Sequence, residues 1–345
     1  MNAMLREMKR TAKRCWLRCR PHALILMYHR VADLESDPQL LAVSPKHFAE
    51  HLQVIRNTYH PLHLTELVQA LSSHQMPRRG IVMTFDDGYV DNLYNATPLL
   101  KQFHIPATVF VTAGLIGQSQ ELWWDELERL LLLPGVFSKE LSLRIQGQYY
   151  VKKLGQFREY RQDDYIKYCS WNILSADEPT VRHTIYRELH NRLRQLLPAE
   201  RDNILRDIGK QIEQGRNWRE SYRMMREEEL RTLCARNLCE VGAHTMTHPA
   251  LSMMSQLEQM NEIQQSKSSL ERIIEKPVTN FSYPYGGRDD YTPETIEILR
   301  QCGFLSACST LLDVVFPYAD CFQLPRLVVR NWSGEIFARQ LAEWF

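Results

Sequence analysis

Seven short apolar runs punctuate this chain, at 23–28, 81–85, 107–112, 239–243, 278–283, 304–308 and 324–329. Runs of this kind suit parallel strands covered on both faces, because a half-exposed strand would alternate apolar with polar. Between them the period changes to that of a helix, over roughly 46–58, 64–73, 90–104, 226–236, 252–275, 292–302 and 334–345. Strand followed by helix, repeated, predicts an α/β fold with a parallel sheet or barrel, and seven runs predict seven units rather than eight.

The alternation breaks once. The third run ends at 112 and the fourth begins at 239, far more chain than one strand-helix unit needs. The intervening segment holds a candidate hairpin over 141–152, turning at Gln146-Gly147, and two polar helical stretches near 180–197 and 199–214. The expected organisation is a basic arm (1–20), a first barrel part (21–114), a mainly helical insertion or lid between strands three and four (115–225), and a second barrel part (226–345).

Charge is unevenly spread. Residues 1–20 carry seven Lys or Arg and one acid, whereas the whole chain nets only +1. The body is therefore mildly acidic, which argues against a nucleic-acid partner. In the arm, Met1, Met4, Leu5, Met8, Ala12, Cys15, Trp16 and Cys19 recur at helical spacing. Two readings stay open for it. A basic amphipathic helix lies in a membrane interface as a peripheral contact, or it docks on the protein's own body. No apolar run after the bases matches a secretory signal. The eight cysteines form no C-x-x-C pair. The expected location is cytoplasmic, with reduced thiols, at or near a membrane surface.

Three clusters could carry chemistry, and each follows an apolar run. Thr84-Phe85-Asp86-Asp87-Gly88 places two carboxylates at a strand end, where barrel folds keep reactive groups. One could bind a metal and the other act as base; a plain Asp-Asp-Gly turn is the alternative. His244-Thr245-Met246-Thr247-His248 offers two imidazoles at i, i+4. One Asp and two His make a three-ligand set that leaves coordination open for water and substrate. Phe281-Ser282-Tyr283-Pro284-Tyr285-Gly286-Gly287 is an aromatic turn whose N–H groups could face an oxyanion and whose rings could wall a sugar site. Trp124, in Trp123-Trp124-Asp125, is either a sugar-stacking residue or core.

These clusters, in this order, resemble the polysaccharide deacetylases that share the NodB homology domain, carbohydrate esterase family 4. The resemblance covers about 23–112 and 226–332, and Tyr28-His29 is similar to members that act on exopolysaccharides. It implies a distorted (β/α)7 barrel and a hydrolase that removes N-acetyl groups from amino sugars of a polysaccharide or glycolipid precursor. By the resemblance, Asp86 is the general base, and Asp87, His244 and His248 hold a divalent metal, usually Zn²⁺. Tyr285 lends its backbone N–H to the oxyanion, and Tyr283 and Trp124 border the substrate. The implied partner is an N-acetylated glycan or a lipid-linked sugar. Deacylation of a lipid-linked sugar, or an inactive glycan-binding member, are the competing expectations.

The chain departs from the family in two places. An Arg that many members carry before the aromatic-Pro turn is Ser282 here. The last run, Leu324-Pro325-Arg326-Leu327-Val328-Val329, lacks the His that supplies the general acid. Arg326 is expected to replace the missing Arg and hold Asp86 ionised. His29, at the end of the first run, is the candidate acid.

Overall fold

The computed structural model describes residues 17, 20–137, 140–212, 217–235 and 238–345. All but a few residues of the arm 1–20 lie outside that range.

The apolar runs become strands β1 (Ala23–Tyr28), β2 (Gly80–Phe85), β3 (Ala107–Val111), β4 (Cys239–Ala243), β5 (Asn280–Ser282), β6 (Ser306–Cys308) and β7 (Leu327–Val328). All pair parallel, in the order β6-β5-β4-β3-β2-β1-β7. Each strand therefore neighbours its sequence neighbour, and β7 returns to β1, with Leu26 opposite Leu327. Between β6 and β7 the ring is joined by single bonds: Ser309 N–H donates to Leu324 at 2.8 Å and Leu324 N–H to Ala307 at 2.9 Å. The fold is a distorted (β/α)7 barrel. Every residue of β1 and β2 is buried, as strands covered on both faces require.

The last strands are shorter than the apolar runs that foretold them. Leu324 pairs with β6 and Leu327 with β1, and Pro325 stands between. Proline donates no N–H to a ladder, so the chain changes partner there. The helix expected over 90–104 divides likewise. A π-helical turn, Asn92–Ala96, runs into a helix at Thr97–Phe103, with Pro98 in its first turn.

Residues beyond β3 build a second apolar centre. Its helices are Trp123–Leu131, Gln162–Tyr168, Val181–Leu193 and Pro198–Gly209, and its hairpin pairs Glu140–Ile145 with Gln148–Lys153. The hairpin turn uses Gln146 and Gly147 at φ 48 and 80, the left-handed pair a two-residue turn demands. Leu127, Leu131, Ile185, Leu189, Leu193 and Ile208 meet in a cluster distinct from that of the barrel. Arg182 is fully buried there, donating to the carbonyls of Phe157, Leu131, Gly135 and Arg158.

Buried ions tie this segment together and to the barrel. Arg219 reaches Glu121 at 2.8 Å and Glu128 at 2.6 Å. Arg30, just after β1, pairs with Asp91 at 2.9 Å, donates to the Ser221 carbonyl and lies over the rings of Tyr89 and Tyr222. Among the described residues, no helix is long and apolar enough to cross a membrane.

Candidate active site

β2 delivers Asp86 and Asp87 to the C-terminal rim of the barrel. Asp86 N–H bonds the Tyr28 carbonyl, so it still continues the sheet, whereas Asp87 turns to φ 75. Gly88 follows at φ 87 with Val111 so close that an added Cβ would lie 3.0 Å from its Cγ1. The turn brings to one pocket two carboxylates that a regular strand would have sent to opposite faces.

β4 delivers the histidines the same way. His244 N–H bonds the Val111 carbonyl, and the loop then folds back through Thr245 at φ 65 and His248 at φ 55. Thr245 Oγ1 accepts from His248 N–H at 3.0 Å. Glu262, from the helix Gln256–Ile274, accepts from the N–H groups of Met246 and Thr247 and from the Thr247 hydroxyl. Arg201, from the second core, donates to the carbonyls of Thr247 and His248. Asp87, Thr245, His248 and Tyr285 all hold left-handed φ without being glycine, a conformation that persists only where surrounding contacts impose it.

The result is one buried triad. His244 Nε2 and His248 Nε2 each stand 3.5 Å from Asp87 Oδ1. His244 Nδ1 donates to the Ser282 carbonyl at 2.8 Å, which fixes the tautomer and leaves the Nε2 lone pair facing Asp87. Asp87 is 1% exposed, yet neither of its oxygens has a hydrogen-bond partner. A buried carboxylate without partners is expensive unless a cation sits against it. Two imidazoles and one carboxylate, all with ligand atoms within 4.8 Å of one another, are a donor set that fits a divalent ion such as Zn²⁺.

Asp86 is treated in the opposite way. Arg326 Nη1 reaches its Oδ1 and Nη2 its Oδ2, both at 2.7 Å. The remaining Arg326 donors go to Thr84 Oγ1, Ser282 Oγ and the Ser309 carbonyl. Burial by itself would raise the Asp86 carboxyl; the guanidinium outweighs it and holds the group down at about 2. Ser282 supplies a 3.3 Å hydrogen bond to Oδ2, so Oδ1 is the less encumbered oxygen.

A pocket of about 320 Å³ opens above these groups. His29, Asp86, Asp87, His244, His248, Tyr285 and Trp124 all line it. The Trp124 ring stands edge-on to His248, 4.8 Å between centroids, and its Nε1 donates to Tyr89 OH at 3.0 Å. That hydroxyl donates in turn to Asp125 at 2.6 Å. Tyr285 packs its ring on His248 and receives a bond from Trp123 Nε1. Burial lowers the His29 imidazole, against the opposing pull of Asp87 and Asp86.

Tyr283 corrects an expectation. It does not border substrate: its ring stacks on Tyr291 at 3.9 Å, its hydroxyl donates to the Phe322 carbonyl, and it is 1% exposed. Tyr283 directly follows β5 and turns to the barrel core, so its apolar ring belongs with Phe281 and not with the pocket. The next helix, Pro293–Gln301, is not capped by Asp290. Thr292 caps it, and Asp290 closes the Gly286-Gly287 turn through Gly287 N–H while holding Arg194.

The family model described as polysaccharide deacetylase matches residues 73–132 and 208–307. The two blocks include both aspartates, both histidines and Tyr285. A curated Bacillus subtilis protein named as a polysaccharide deacetylase, YxkH, is 32% identical over 108 residues, 31% of this chain and 37% of its own length. Over these blocks the chain is similar to the polysaccharide deacetylase family. Solved structures share its fold. Streptococcus pyogenes deacetylase PplD superposes with a TM-score of 0.54 at 18% identity, covering 93% of this chain and 99% of that one. IcaB from Ammonifex degensii gives 0.58 at 19%, covering 94% and 97%.

Several site residues carried no sequence signal. Glu262 and Arg201 shape the histidine loop, yet each is one polar residue among many on a helix. His190, Arg194 and Arg330 line the pocket from segments without a motif. Only the folded chain brings them there.

Proposed function

We propose that this chain is a metal-dependent hydrolase that removes N-acetyl groups from amino sugars of a polysaccharide or glycan precursor. The observation that carries the reading is the contrast at the end of β2. Asp86 is held through both oxygens by Arg326, while its neighbour Asp87 is buried beside two imidazoles with neither oxygen hydrogen-bonded among the described residues. A carboxylate poised for a cation next to one held ionised is the division of labour that hydrolysis of an amide requires.

Asp87, His244 and His248 would hold the ion, which when bound supplies Lewis-acid polarisation of the amide carbonyl. Asp86 Oδ1 accepts the proton of the attacking water. Arg326 keeps Asp86 charged throughout the physiological range and makes it a weaker base, so its contribution rests on position more than on basicity. The Tyr285 N–H, which makes no hydrogen bond among the described residues, is the donor for the developing oxyanion. His29 protonates the departing nitrogen; an imidazolium below its ordinary range is a stronger acid, though charged in fewer molecules at neutral pH.

The test is acetate release from N-acetylglucosamine oligomers by metal-stripped protein, with and without added Zn²⁺, beside Asp86→Asn. Release that needs the ion and disappears in the variant supports the reading. Release indifferent to metal, or undiminished in Asp86→Asn, overturns it.

A further inference from the structure

Arg330 stands two residues beyond β7, half-buried in the wall of the pocket. Its Nη1 donates to the carbonyls of Gln39 and Leu40. Leu40 takes φ 57, costly for a leucine, and in that conformation its carbonyl hooks the guanidinium. The loop is clamped from within. Asp37 accepts from Leu41 N–H at 2.9 Å and Ala42 N–H at 2.8 Å, so both its oxygens serve the backbone.

Other cations around the site are accounted for. Arg326 belongs to Asp86, and Arg194 to Asp290 at 2.8 Å. Burial holds the His190 imidazole at about 4, so it is neutral. Arg330 forms no ion pair among the described residues, and its Nε and Nη2 donors meet no acceptor there. Burial lowers its pKa, and the nearby Asp37 opposes that shift. Met27, Leu41, Ile173 and Val328 line the same pocket with apolar wall, where a charge-assisted hydrogen bond counts for more than in water.

We propose that Arg330 is an anion-recognising subsite and that the substrate is an amino sugar bearing a phosphate or carboxylate beside its N-acyl arm. The proposal rests on the deacylase reading of the same pocket. The free Nε–Nη2 edge of the guanidinium matches the paired oxygens of either group, and loop 37–41 holds the fork in advance. Arg330 touches the substituent and not the reacting amide, so it selects substrate without taking part in the chemistry.

The experiment compares kcat/KM for three substrates: a neutral N-acetylglucosamine oligomer, an N-acetyl amino sugar phosphate and an N-acetyl amino uronate. Wild type is expected to favour one or both anionic substrates by about 10- to 100-fold, and which one identifies the group. Arg330→Gln should collapse that ratio, and Arg330→Lys should keep part of it. Calorimetric titration of metal-stripped protein with inorganic phosphate gives a readout apart from turnover, with binding weakened about 10-fold in Arg330→Gln. Equal kcat/KM for all three substrates in wild type overturns the subsite. So does an equal loss on all three in Arg330→Gln, which would make Arg330 a prop for loop 37–41, or phosphate binding that ignores the substitution. Should Arg330→Gln not fold, the wild-type ratio and Arg330→Lys still decide. If nothing is hydrolysed, the deacylase reading fails and the phosphate titration alone judges the subsite.

Discussion

The floor and the wall of the pocket are built by different means. The floor is Asp86, Asp87, His244, His248 and Tyr285, each on the short segment that follows a barrel strand. The wall takes Trp124, Ile173, His190 and Arg194 from the second core, with Gln39, Leu41 and Arg330 from loops. Floor residues owe their position to parallel pairing and to left-handed turns within a few residues of themselves. Wall residues owe theirs to a separate apolar cluster and to buried ion pairs such as Arg219 with Glu121 and Glu128. Floor and wall thus draw on two cores, joined where Arg201 holds the His248 loop and Trp123 bonds Tyr285.

The strongest challenge to that separation is Asp87→Ala. It should abolish metal binding and lower kcat/KM by about 1000-fold or more, read by metal content and acetate release, while thermal stability barely falls. A large loss of stability with activity retained would mean that Asp87 is structural.

Arg326→Met should act on the floor in the reverse sense. It leaves Asp86 buried and uncompensated, a cost of about 3–5 kcal/mol in denaturant unfolding, alongside loss of activity. Stability within error of wild type would break the account of Asp86.

His29→Gln should lower kcat by about 100-fold or more, with unfolding unchanged, if His29 is the acid. Full turnover would return it to a packing role.

In the wall, Tyr89→Phe removes one hydroxyl that links Trp124 to Asp125. About 1–3 kcal/mol of stability should go, and kcat should change less than KM. A drop in kcat matching that of His29→Gln would show floor and wall to be one unit.

The smallest effect separates the regions by the sign of their pH dependence. Asp86 has its folded pKa lowered from 3.8 to about 2, so its contribution is present above 3.8 and lost as pH falls through 2, on the order of 2 kcal/mol. Asp125 is pushed up from 3.8 to about 8, by burial against the pull of Arg30 and Arg219. Its contribution is full below 3.8 and lost as pH rises through 8. Unfolding of Asp125→Asn should therefore show a shallower decline between 3.8 and 8. An identical slope in the variant would place the alkaline sensitivity elsewhere.

Much of the floor was legible in the sequence. Asp86-Asp87-Gly88 and His244 to His248 are contiguous, and each follows an apolar run, so their place at the rim follows from the strand rule alone. Tyr283 misled because its neighbour Tyr285 does line the pocket. Which way each ring points depends on where Asn280–Ser282 ends and the turn begins, and the apolar run extended beyond that point. Arg326 was readable as a substitute for a missing Arg only because Ser282 had left a small gap, which its guanidinium now fills.

Local pattern therefore determined the elements, their parallel arrangement, the hairpin turn at Gln146-Gly147 and the residues able to bind a metal or move a proton. These depend on period, turn chemistry and side-chain type, all of which are written within a few residues. Tertiary structure alone decided which carboxylate received the arginine and which was left open. It also decided that Glu262 and Arg201 would shape the histidine loop, and that Arg330 would line the pocket with no ion pair among the described residues. Those outcomes depend on distances between residues far apart in the chain, and the closing of the barrel and the packing of the second core set them.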